Sequence, residues 1–437
     1  MIKIRATSTH IISQQRWVKV ALVVCMVSLT VVAFSTTFRS FSSGSRELIV
    51  ASPVCGTWYV MGSEETGINL KSTYFGAVNA LSTDDIWFAG TRNNDALQKG
   101  AVVFMHWNGG KVNSISNSML DTDEARFEAL TMRNKDDGWA VGYYKQNGQS
   151  QPLVVHWNGS SLNVLPIPEL SSVVINNIKP QIHGSLKSIA IVASDDVWAV
   201  GEYLEDTIYK TLVVHWNGNK WETVPSPNIG RGSSTLQSIV ALSTNDVWAF
   251  GSGLADIGTP TWLGTALVLH WDGHLWKVAD KPLEFRNFTA ASVGSDKDLR
   301  VVGSDLQGEE FWAVKQYNSA AWDVRTVPNS TTGYGEEYRS LIGNLLSKQW
   351  LVGYKWAGTS SNRSSIQSGS RALVMQWNGQ TWQEVEVPDY EQVQEFRAAT
   401  SMALNDLWLV GAVFNGENQF EKSIIEHFVE CPATSKN

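Results

Sequence analysis

The body of this chain lacks any concentrated block of basic residues. Its 437 residues include 34 Lys and Arg against 42 Asp and Glu, which gives a formal net charge of −8. Because a surface that binds phosphates needs clustered positive charge, we predict no nucleic-acid partner. Charged residues make up only 17% and hydrophobic residues 43%, a balance typical of a folded chain with ample material for a core.

The sequence also lacks the short motifs that mark common catalytic sites. It contains no HExxH metalloprotease motif, no phosphate-binding loop and no GxSxG nucleophile motif. We therefore predict no metal and no cofactor. Enzymatic activity becomes the second interpretation of this chain, behind ligand binding.

Basic residues do cluster at the N-terminus, where Lys3, Arg5, Arg16 and Lys19 precede the first carboxylate, Glu47. Residues 20–38 follow as an uncharged, largely apolar run, long enough to cross a bilayer, which takes roughly 20 residues as a helix. The basic flank predicts a cytoplasmic N-terminus and an exported body. We interpret residues 1–19 as a cytoplasmic leader, 20–38 as a transmembrane signal-anchor helix and 39–54 as a Ser-rich linker.

A cleaved signal peptide is the alternative interpretation of the same segment. Ala33 and Ser35 are small residues that suit a cleavage site, and the product would then be secreted. Both interpretations predict that the rest of the chain lies outside the cytoplasm.

One heptapeptide recurs along the rest of the chain. NDVWAFG ends at Gly251, and close variants end at Gly90, Gly142, Gly201 and Gly411. The first motif is centred, in order, on Trp87, Trp139, Trp198, Trp248, Arg300, Trp350 and Trp408. A second motif of the HWNG type follows each copy, centred on Trp107, Trp157, Trp216, Trp271, Tyr317, Trp377 and Phe428. The first-motif positions are 50 to 59 residues apart, so the chain contains seven units of about fifty residues.

Each unit has the pattern of four short strands separated by turns. Such a sheet, repeated at this period, predicts a β-propeller blade, because one small sheet buries both faces only where neighbouring sheets stack around an axis. We predict an all-β, seven-bladed propeller of four-stranded antiparallel blades, with the recurrent Trp packed between blades. The side chain of Asp246 and its equivalents is expected to bond backbone N–H groups of the turn between strands one and two.

The two ends of the chain predict how the ring closes. The last unit has its third strand, IIEHF, but no fourth, whereas CGTWYVM at residues 55–61 matches a fourth strand, with Trp58 in the place of Trp221. We therefore predict a propeller over residues 55–431, closed by N-terminal and C-terminal strands in one blade, and a tail at 432–437.

The histidines of the second motif occupy one equivalent position per unit. A ring spreads such residues apart instead of gathering them around one ion, so we predict buried, hydrogen-bonding histidines without a metal. They are His106, His156, His215, His270 and His427.

The units resemble those of kelch, Asp-box and quinoprotein-type propellers. They are most similar to the tandem DVWAVG and HWNGxxW repeats of exported bacterial propeller proteins of undefined role. The resemblance covers residues 55–431 and implies the propeller fold. The double glycine of kelch repeats and the Gly-His and Trp-Asp pairs of WD repeats are absent, so the resemblance implies no particular ligand.

The two faces of the predicted ring differ. The turns between strands one and two, and three and four, are tight and repetitive, whereas the loops between strands two and three, and between blades, vary; we call the face with the second set the variable-loop face. Trp262, Trp356, Tyr334 and Tyr338 are candidate ligand contacts there, since aromatic rings offer flat contact area to sugars or partner proteins. Packing of the loops against the blades is the alternative role.

Basic residues recur near the starts of the first strands, which line the channel of a propeller. Arg339 and Arg397 align with Lys187 and Gln237, and Arg286 and Arg126 fall nearby. These side chains are expected to ring the channel mouth, where they would accept a carboxylate or phosphate. The alternative is that each Arg pairs with a neighbouring Glu, such as Glu337, Glu395, Glu284 or Glu124.

Together these patterns predict an extracytoplasmic, membrane-anchored propeller that acts as a ligand-binding or protein-interaction scaffold through its variable-loop face. The expected partners are the membrane, through the N-terminal helix, and a glycan or protein ligand. A glycosidase or sialidase-like hydrolase is the alternative, since related propellers use an Arg cluster with Tyr and Glu; Glu336, Glu337, Tyr338 and Arg339 supply those residue types here.

The closure predicts a disulfide between Cys55 and Cys431. Cys431 lies three residues after Phe428 and Cys55 three before Trp58, so both fall in one turn between the third and fourth strands, and Cys25 is left in the apolar segment. In the chain-entropy model a loop this long contributes roughly 5 kcal/mol at most. Proteolytic mapping without reductant is expected to recover the two cysteines in one linked peptide pair; free thiols at both positions would refute the pairing.

Overall fold

The computed structural model describes most of the predicted propeller. The described residues are 56–94, 99–117, 124–146, 148–167, 183–256, 264–282, 285–305, 309–328, 334–345, 348–357, 370–390, 393–403, 406–415 and 419–429. The leader, the predicted transmembrane segment 20–38, the linker, Cys55, Cys431 and the tail lie outside these ranges. Within these ranges, no helix has both the length and the apolar character needed to span a membrane.

Seven four-stranded antiparallel sheets make up the fold, as the repeat predicts. Blades 1 to 3 comprise, in order, β2 (Thr73–Ser82), β3 (Asp85–Asn94), β4 (Lys99–Trp107) and β5 (Val112–Asn117); β6 (Glu124–Asn134), β7 (Asp137–Gln146), β8 (Gln149–Trp157) and β9 (Leu162–Val164); and β10 (Gly184–Ala193), β11 (Asp196–Glu205), β12 (Ile208–Trp216) and β13 (Trp221–Thr223). In each of these blades the first of the four strands is the innermost, and each strand pairs with the next in sequence.

Blades 4 to 6 repeat the same order. They comprise β14 (Ser234–Ser243), β15 (Asp246–Gly253), β16 (Thr265–Trp271) and β17 (Trp276–Val278); β18 (Asn287–Val293), β19 (Leu299–Ser304), β20 (Glu310–Lys315) and β21 (Asp323–Thr326); and β22 (Tyr334–Leu345), β23 (Lys348–Ala357), β24 (Arg371–Trp377) and β25 (Trp382–Glu384).

Blade 7 joins the two ends of the chain. Its strands are β26 (Val393–Thr400), β27 (Asp406–Phe414), β28 (Phe420–Val429) and, as the fourth, β1 (Thr57–Val60). Trp58 lies opposite Phe428, the register that Trp221 and Trp216 adopt in blade 3. The predicted closure is therefore confirmed, although the disulfide beyond these strands stays a prediction. A short helix, α1 (Ser63–Thr66), connects β1 to the first strand of blade 1.

Tryptophan side chains pack between neighbouring blades, which confirms the role predicted for them. The ring centroid of Trp198 in blade 3 lies 4.9 Å from that of Trp271 and 5.6 Å from that of Trp276, both in blade 4. The same arrangement joins Trp139 to Trp216 and Trp221, and Trp312 to Trp377 and Trp382. The hydrophobic core thus lies between sheets, one layer per blade boundary.

The Asp of the repeat has a different partner from the one predicted. In blade 4, Asp246 Oδ1 accepts hydrogen bonds from Trp248 Nε1 at 2.7 Å and from His270 Nε2 at 2.9 Å, and the His ring stacks on the Trp ring. The Asp side chain therefore ties the second strand to the third, instead of bonding the N–H groups of the turn. Blades 1 and 3 contain the same trio, as Asp85, Trp87 and His106, and Asp196, Trp198 and His215.

The hydrogen-bonding role predicted for the five histidines is confirmed, but their predicted burial holds only for His427, because the other four are partly exposed. His156 Nε2 pairs with Asp137 at 3.0 Å, and His427 pairs with Asp406, so the histidines of all five blades bond to an Asp of the preceding strand. Since an ionised carboxylate only accepts, the ring nitrogen donates in each pair.

Blade 5 departs from the predicted alignment. Lys315 lies opposite Leu299, the register that Trp271 and Val247 adopt in blade 4, so Lys315 and not Tyr317 is the structural equivalent of the repeat Trp. The third strand ends at Lys315, and the following turn uses Asn318 at a positive φ of 64° where other blades use Gly. Arg300, fully buried, replaces the repeat Trp and its guanidinium bonds Asp296.

We expect Trp198→Ala to destabilise the propeller strongly. Trp198 is 2% exposed, and its removal leaves a cavity between blades 3 and 4, which typically costs about 3–5 kcal/mol. The midpoint of urea unfolding, followed by Trp fluorescence, measures the change. Leu275→Ala is the matched control, because Leu275 is 50% exposed at a strand 3–4 turn; equal shifts for the two variants would contradict the packing role.

Candidate functional site

Every first strand contains a β-bulge at the same place. In β10, Leu186 lies opposite Gly201 and Ser188 opposite Val200, which leaves Lys187 as the extra residue between two register positions. The seven bulge residues, in blade order, are Gly76, Glu128, Lys187, Gln237, Thr289, Arg339 and Arg397.

The glycine that ends the repeat heptapeptide explains why the bulge recurs. Gly201 lies opposite the residue before the bulge, and a Cβ there would fall 2.0 Å from the carbonyl oxygen of Ser185. Gly142 and Gly353 have equally close backbone oxygens, at 1.9 Å. Only glycine permits this approach of the two strands, so the motif encodes the local geometry of the site.

The bulge residues line one central cavity of about 210 Å³. All seven contribute, together with Tyr74, Arg126 and Phe127 from the first strands of blades 1 and 2. In blades 1 to 6 the bulge falls in the first half of the first strand, and in blade 7 it falls at the fifth of eight residues; the first half lies on the side of the ring where blades connect and where the loops between strands two and three begin. The cavity therefore lies towards the variable-loop face.

Three arginines at the cavity each pair with a glutamate two residues earlier. Arg126 Nε lies 3.0 Å from Glu124 Oε1, Arg339 Nη2 lies 2.9 Å from Glu337 Oε1, and Arg397 pairs with Glu395. The negative charge of Glu337 raises the pKa of Arg339 above its usual range. None of the three glutamates lines the cavity, so each arginine lies between a carboxylate behind it and the cavity in front.

Lysine and glutamate meet on the neighbouring side of the cavity. Lys187 Nζ lies 3.9 Å from Glu128 Oε1 and 3.8 Å from Glu202 Oε1. Gln237 and Thr289 of blades 4 and 5 add uncharged polar groups. The cavity lining thus carries four cations and one carboxylate among the described residues, and its three arginines lie on blades 6, 7 and 2.

Trp356 and Tyr338, the two predicted aromatic contacts whose side chains are described, do not line this cavity. Trp356 is 5% exposed and packs against Gly335, and Tyr338 is fully buried with its hydroxyl donating to Glu336 Oε2 at 2.8 Å. Trp262 and the side chain of Tyr334 lie outside the described residues. Arg286 precedes β18 and is not among the described residues that line the cavity. We therefore leave Trp356, Tyr338 and Arg286 out of the proposed site, while the ligand contacts predicted for Trp262 and Tyr334 stay predictions.

The residues suggested for a hydrolase fall into two separate pairs, Glu336 with Tyr338 and Glu337 with Arg339. Glu336 and Tyr338 are buried between blades, whereas Arg339, the next residue, faces the central cavity. The pKa of Tyr338 is raised well above its usual value by burial and by the charge of Glu336. A buried, protonated phenol does not reach a substrate in the cavity, so adjacency in sequence has not produced a catalytic cluster here.

Sequence patterns alone missed five members of the cavity, namely Gly76, Glu128, Thr289, Tyr74 and Phe127. The signal for three of them was a fixed offset: each bulge residue lies 11 positions before the central residue of the repeat motif, as Lys187 precedes Trp198 and Thr289 precedes Arg300. Aligning on the local EFR or EAR pattern instead selected Arg286 and Arg126, which are shifted by three and two positions. Tyr74 carries no such signal.

Comparison with known proteins bears on the fold. No protein-family model and no curated protein matches this chain. Among solved structures the chain is similar to YCF48 bound to a D1 peptide, with a TM-score of 0.50 and 15% identity over 89% of this chain and 100% of that one. It is also similar to the polysaccharide lyase Uly1, with a TM-score of 0.48 and 10% identity over 87% of this chain and 94% of that one.

A third similar structure is the acylaminoacyl peptidase of Pyrococcus horikoshii, with a TM-score of 0.45 and 12% identity over 82% of this chain and 51% of that one. At these identities the similarity establishes fold and not activity. The chain is a seven-bladed β-propeller, and its structural neighbours are propeller proteins.

The ion pair of Arg397 is expected to be needed for folding. Glu395 is 1% exposed, so Arg397→Gln leaves a buried carboxylate without its cation, which costs roughly 3 kcal/mol. The double variant with Glu395→Gln should recover most of the loss, because both charges are then gone. Arg133→Gln, which removes a more exposed pair with Asp137, should change stability by less than about 1 kcal/mol. Thermal unfolding of the unmodified protein, Arg397→Gln, Glu395→Gln and the double variant completes the double-mutant cycle; a double variant no more stable than Arg397→Gln would contradict the role of the pair.

Proposed function

We propose that this protein is a membrane-anchored, extracytoplasmic β-propeller that binds a glycan or protein ligand on its variable-loop face, without chemical turnover. The anchor rests on the basic leader and on the apolar run at residues 20–38, and secretion after cleavage is the alternative. The predicted disulfide between Cys55 and Cys431 belongs to the same exported setting.

The observation that carries this proposal is the contrast between scaffold and cavity. Tryptophan packing and the Asp–His pairs repeat from blade to blade, whereas the seven bulge residues are of six different types. A propeller with a purely structural role would not require different side chains at the seven bulge positions. Individual side chains converging on one cavity are typical of a binding site.

Loop lengths support the choice of face. The first and second strands are separated by two residues in blades 1 to 4, as between Ser243 and Asp246. On the other face, the loop between strands two and three has two residues in blade 2, but runs from Gly253 to Thr265 in blade 4 and from Ala357 to Arg371 in blade 6. Recognition residues concentrate on such variable loops. YCF48, which shares the fold, is a propeller whose structure contains a bound peptide.

The alternative function, a glycosidase or sialidase-like hydrolase, is not favoured. Glycosidic hydrolysis takes two carboxyl groups facing each other across about 5 to 10 Å. Glu128 is the one carboxylate among the described residues that line the cavity.

Binding to glycan and peptide arrays by the detergent-solubilised full chain tests the proposal. We expect saturable binding with no product release. Leu204→Ala with Tyr209→Ala, an exposed cross-strand pair next to the two-residue hairpin turn of blade 3 on the variable-loop face, should weaken it at least threefold. Leu275→Ala with Val278→Ala is the matched control, since these residues are 50% and 54% exposed at and after a turn of the opposite face. Binding that depends on the control pair alone, or release of sugar, would reject the proposal.

A further inference from the structure

We infer that the central cavity holds the carboxylate of an acidic sugar, such as the uronate end group of a glycan, between Arg339, Arg397 and Arg126. This inference rests on the proposed binding function and specifies its ligand.

Three arginines line one side of the cavity, where blade 1 contributes the ring of Tyr74 and, at its bulge position, no side chain. Gly76 is the bulge residue of blade 1, and a Cβ there would lie 1.9 Å from the carbonyl oxygen of Phe127. Arg397 of blade 7 and Arg126 of blade 2 therefore lie on either side of blade 1 and its Tyr74, with Arg339 of blade 6 next in line. The guanidinium of Arg126 lies over the ring of Tyr74, 5.0 Å from its centroid, which holds Arg126 at the cavity.

Each guanidinium retains donors beyond its own ion pair. Arginine has five N–H groups, and Glu124 contacts Arg126 through Nε while Glu395 contacts Arg397 through Nη2. Arg397 Nε is buried and has no hydrogen-bond partner among the described residues. Three like charges around one small cavity repel one another, and an oxyanion between them relieves that repulsion while accepting the remaining N–H bonds.

The rest of the lining selects the body of the ligand. Gln237, Thr289, Lys187 and Glu128 offer an amide, a hydroxyl, an ammonium and a carboxylate, all of which bond hydroxyl groups. Apart from the rings of Tyr74 and Phe127, no described side chain of the lining is apolar, so the cavity offers little to the apolar side chain of a peptide end. A sugar acid carries a carboxylate that the arginines would bind and hydroxyl groups that these polar side chains would bind.

The size of the cavity points to an end group. At about 210 Å³ it is smaller than the roughly 300–1,000 Å³ of pockets that enclose drug-sized ligands whole. One acidic sugar unit would enter, and the remainder of a glycan would lie along the variable-loop face.

Titration of the full chain with paired small probes tests this inference. Methyl β-glucuronide and methyl β-glucoside differ only in the carboxylate, and calorimetry should show at least tenfold tighter binding of the glucuronide, weakening as NaCl is raised. Arg126→Gln should reduce glucuronide affinity at least tenfold and leave glucoside binding unchanged. This variant is chosen because Lys145 still pairs with Glu124, at 2.6 Å, so no carboxylate is stranded.

Arg133→Gln on the same strand is the matched control and should bind like the unmodified protein, because Arg133 pairs with Asp137 away from the cavity. Equal affinity for the two sugars, or glucuronide binding indifferent to Arg126→Gln, would overturn the inference. So would tighter binding of inorganic phosphate or of an N-acetylated dipeptide with a free carboxylate. If the arrays find a ligand that depends on Leu204 and Tyr209 while glucuronide does not bind, the uronate fails and the proposed function stands.

Discussion

The pairing of β1 with β28 is the interaction on which the rest of this structure depends. A propeller blade buries its two faces only against neighbours, so seven blades are stable together only as a closed ring. Blade 7 takes its fourth strand from the start of the chain, and Trp58 adds a hydrogen bond from its indole to the carbonyl oxygen of Glu386 beyond blade 6. Closure thereby brings the first strands of blades 1, 6 and 7 around one axis, where the cavity forms.

The close approach of the first and second strands in each blade connects the repeated fold to the central cavity. The glycine ending each repeat motif allows the second strand to lie against the backbone of the first, and the bulge beside it frees one residue per blade from the regular pattern. The bulge residue is not fixed by packing between sheets, so it differs from blade to blade. The backbone geometry is therefore the same in every blade, while the side chain differs among the seven bulge positions. For this reason one repeat forms both a regular ring of blades and a cavity with a specific set of side chains.

Electrostatics at the cavity combines stability with recognition. Glu337 and Glu395 are 11% and 1% exposed, and each lies behind an arginine that faces the cavity. The pairs hold the guanidinium groups in place, which reduces the conformational entropy that a ligand would otherwise have to remove. Both roles predicted for these arginines, a ring at the channel mouth and pairing with glutamate, are present together in the geometry, because a guanidinium has more donors than one carboxylate occupies.

Repetition made the architecture readable from sequence: seven copies of one pattern determined blade number, strand order, closure and the packing role of tryptophan. The errors fell where one copy departs from the others, as in blade 5, where Arg300 replaces the repeat Trp and the third strand ends early at Lys315. Alignment of the repeats placed Lys187, Gln237, Arg339 and Arg397 near the channel, but only the tertiary structure showed which other side chains share the cavity with them. A bulge reverses the face on which the next residue lies, and Gly76 leaves the bulge position of blade 1 without a side chain. Local sequence determines where each strand forms. The bulge residues come together at the axis only when all seven blades have assembled.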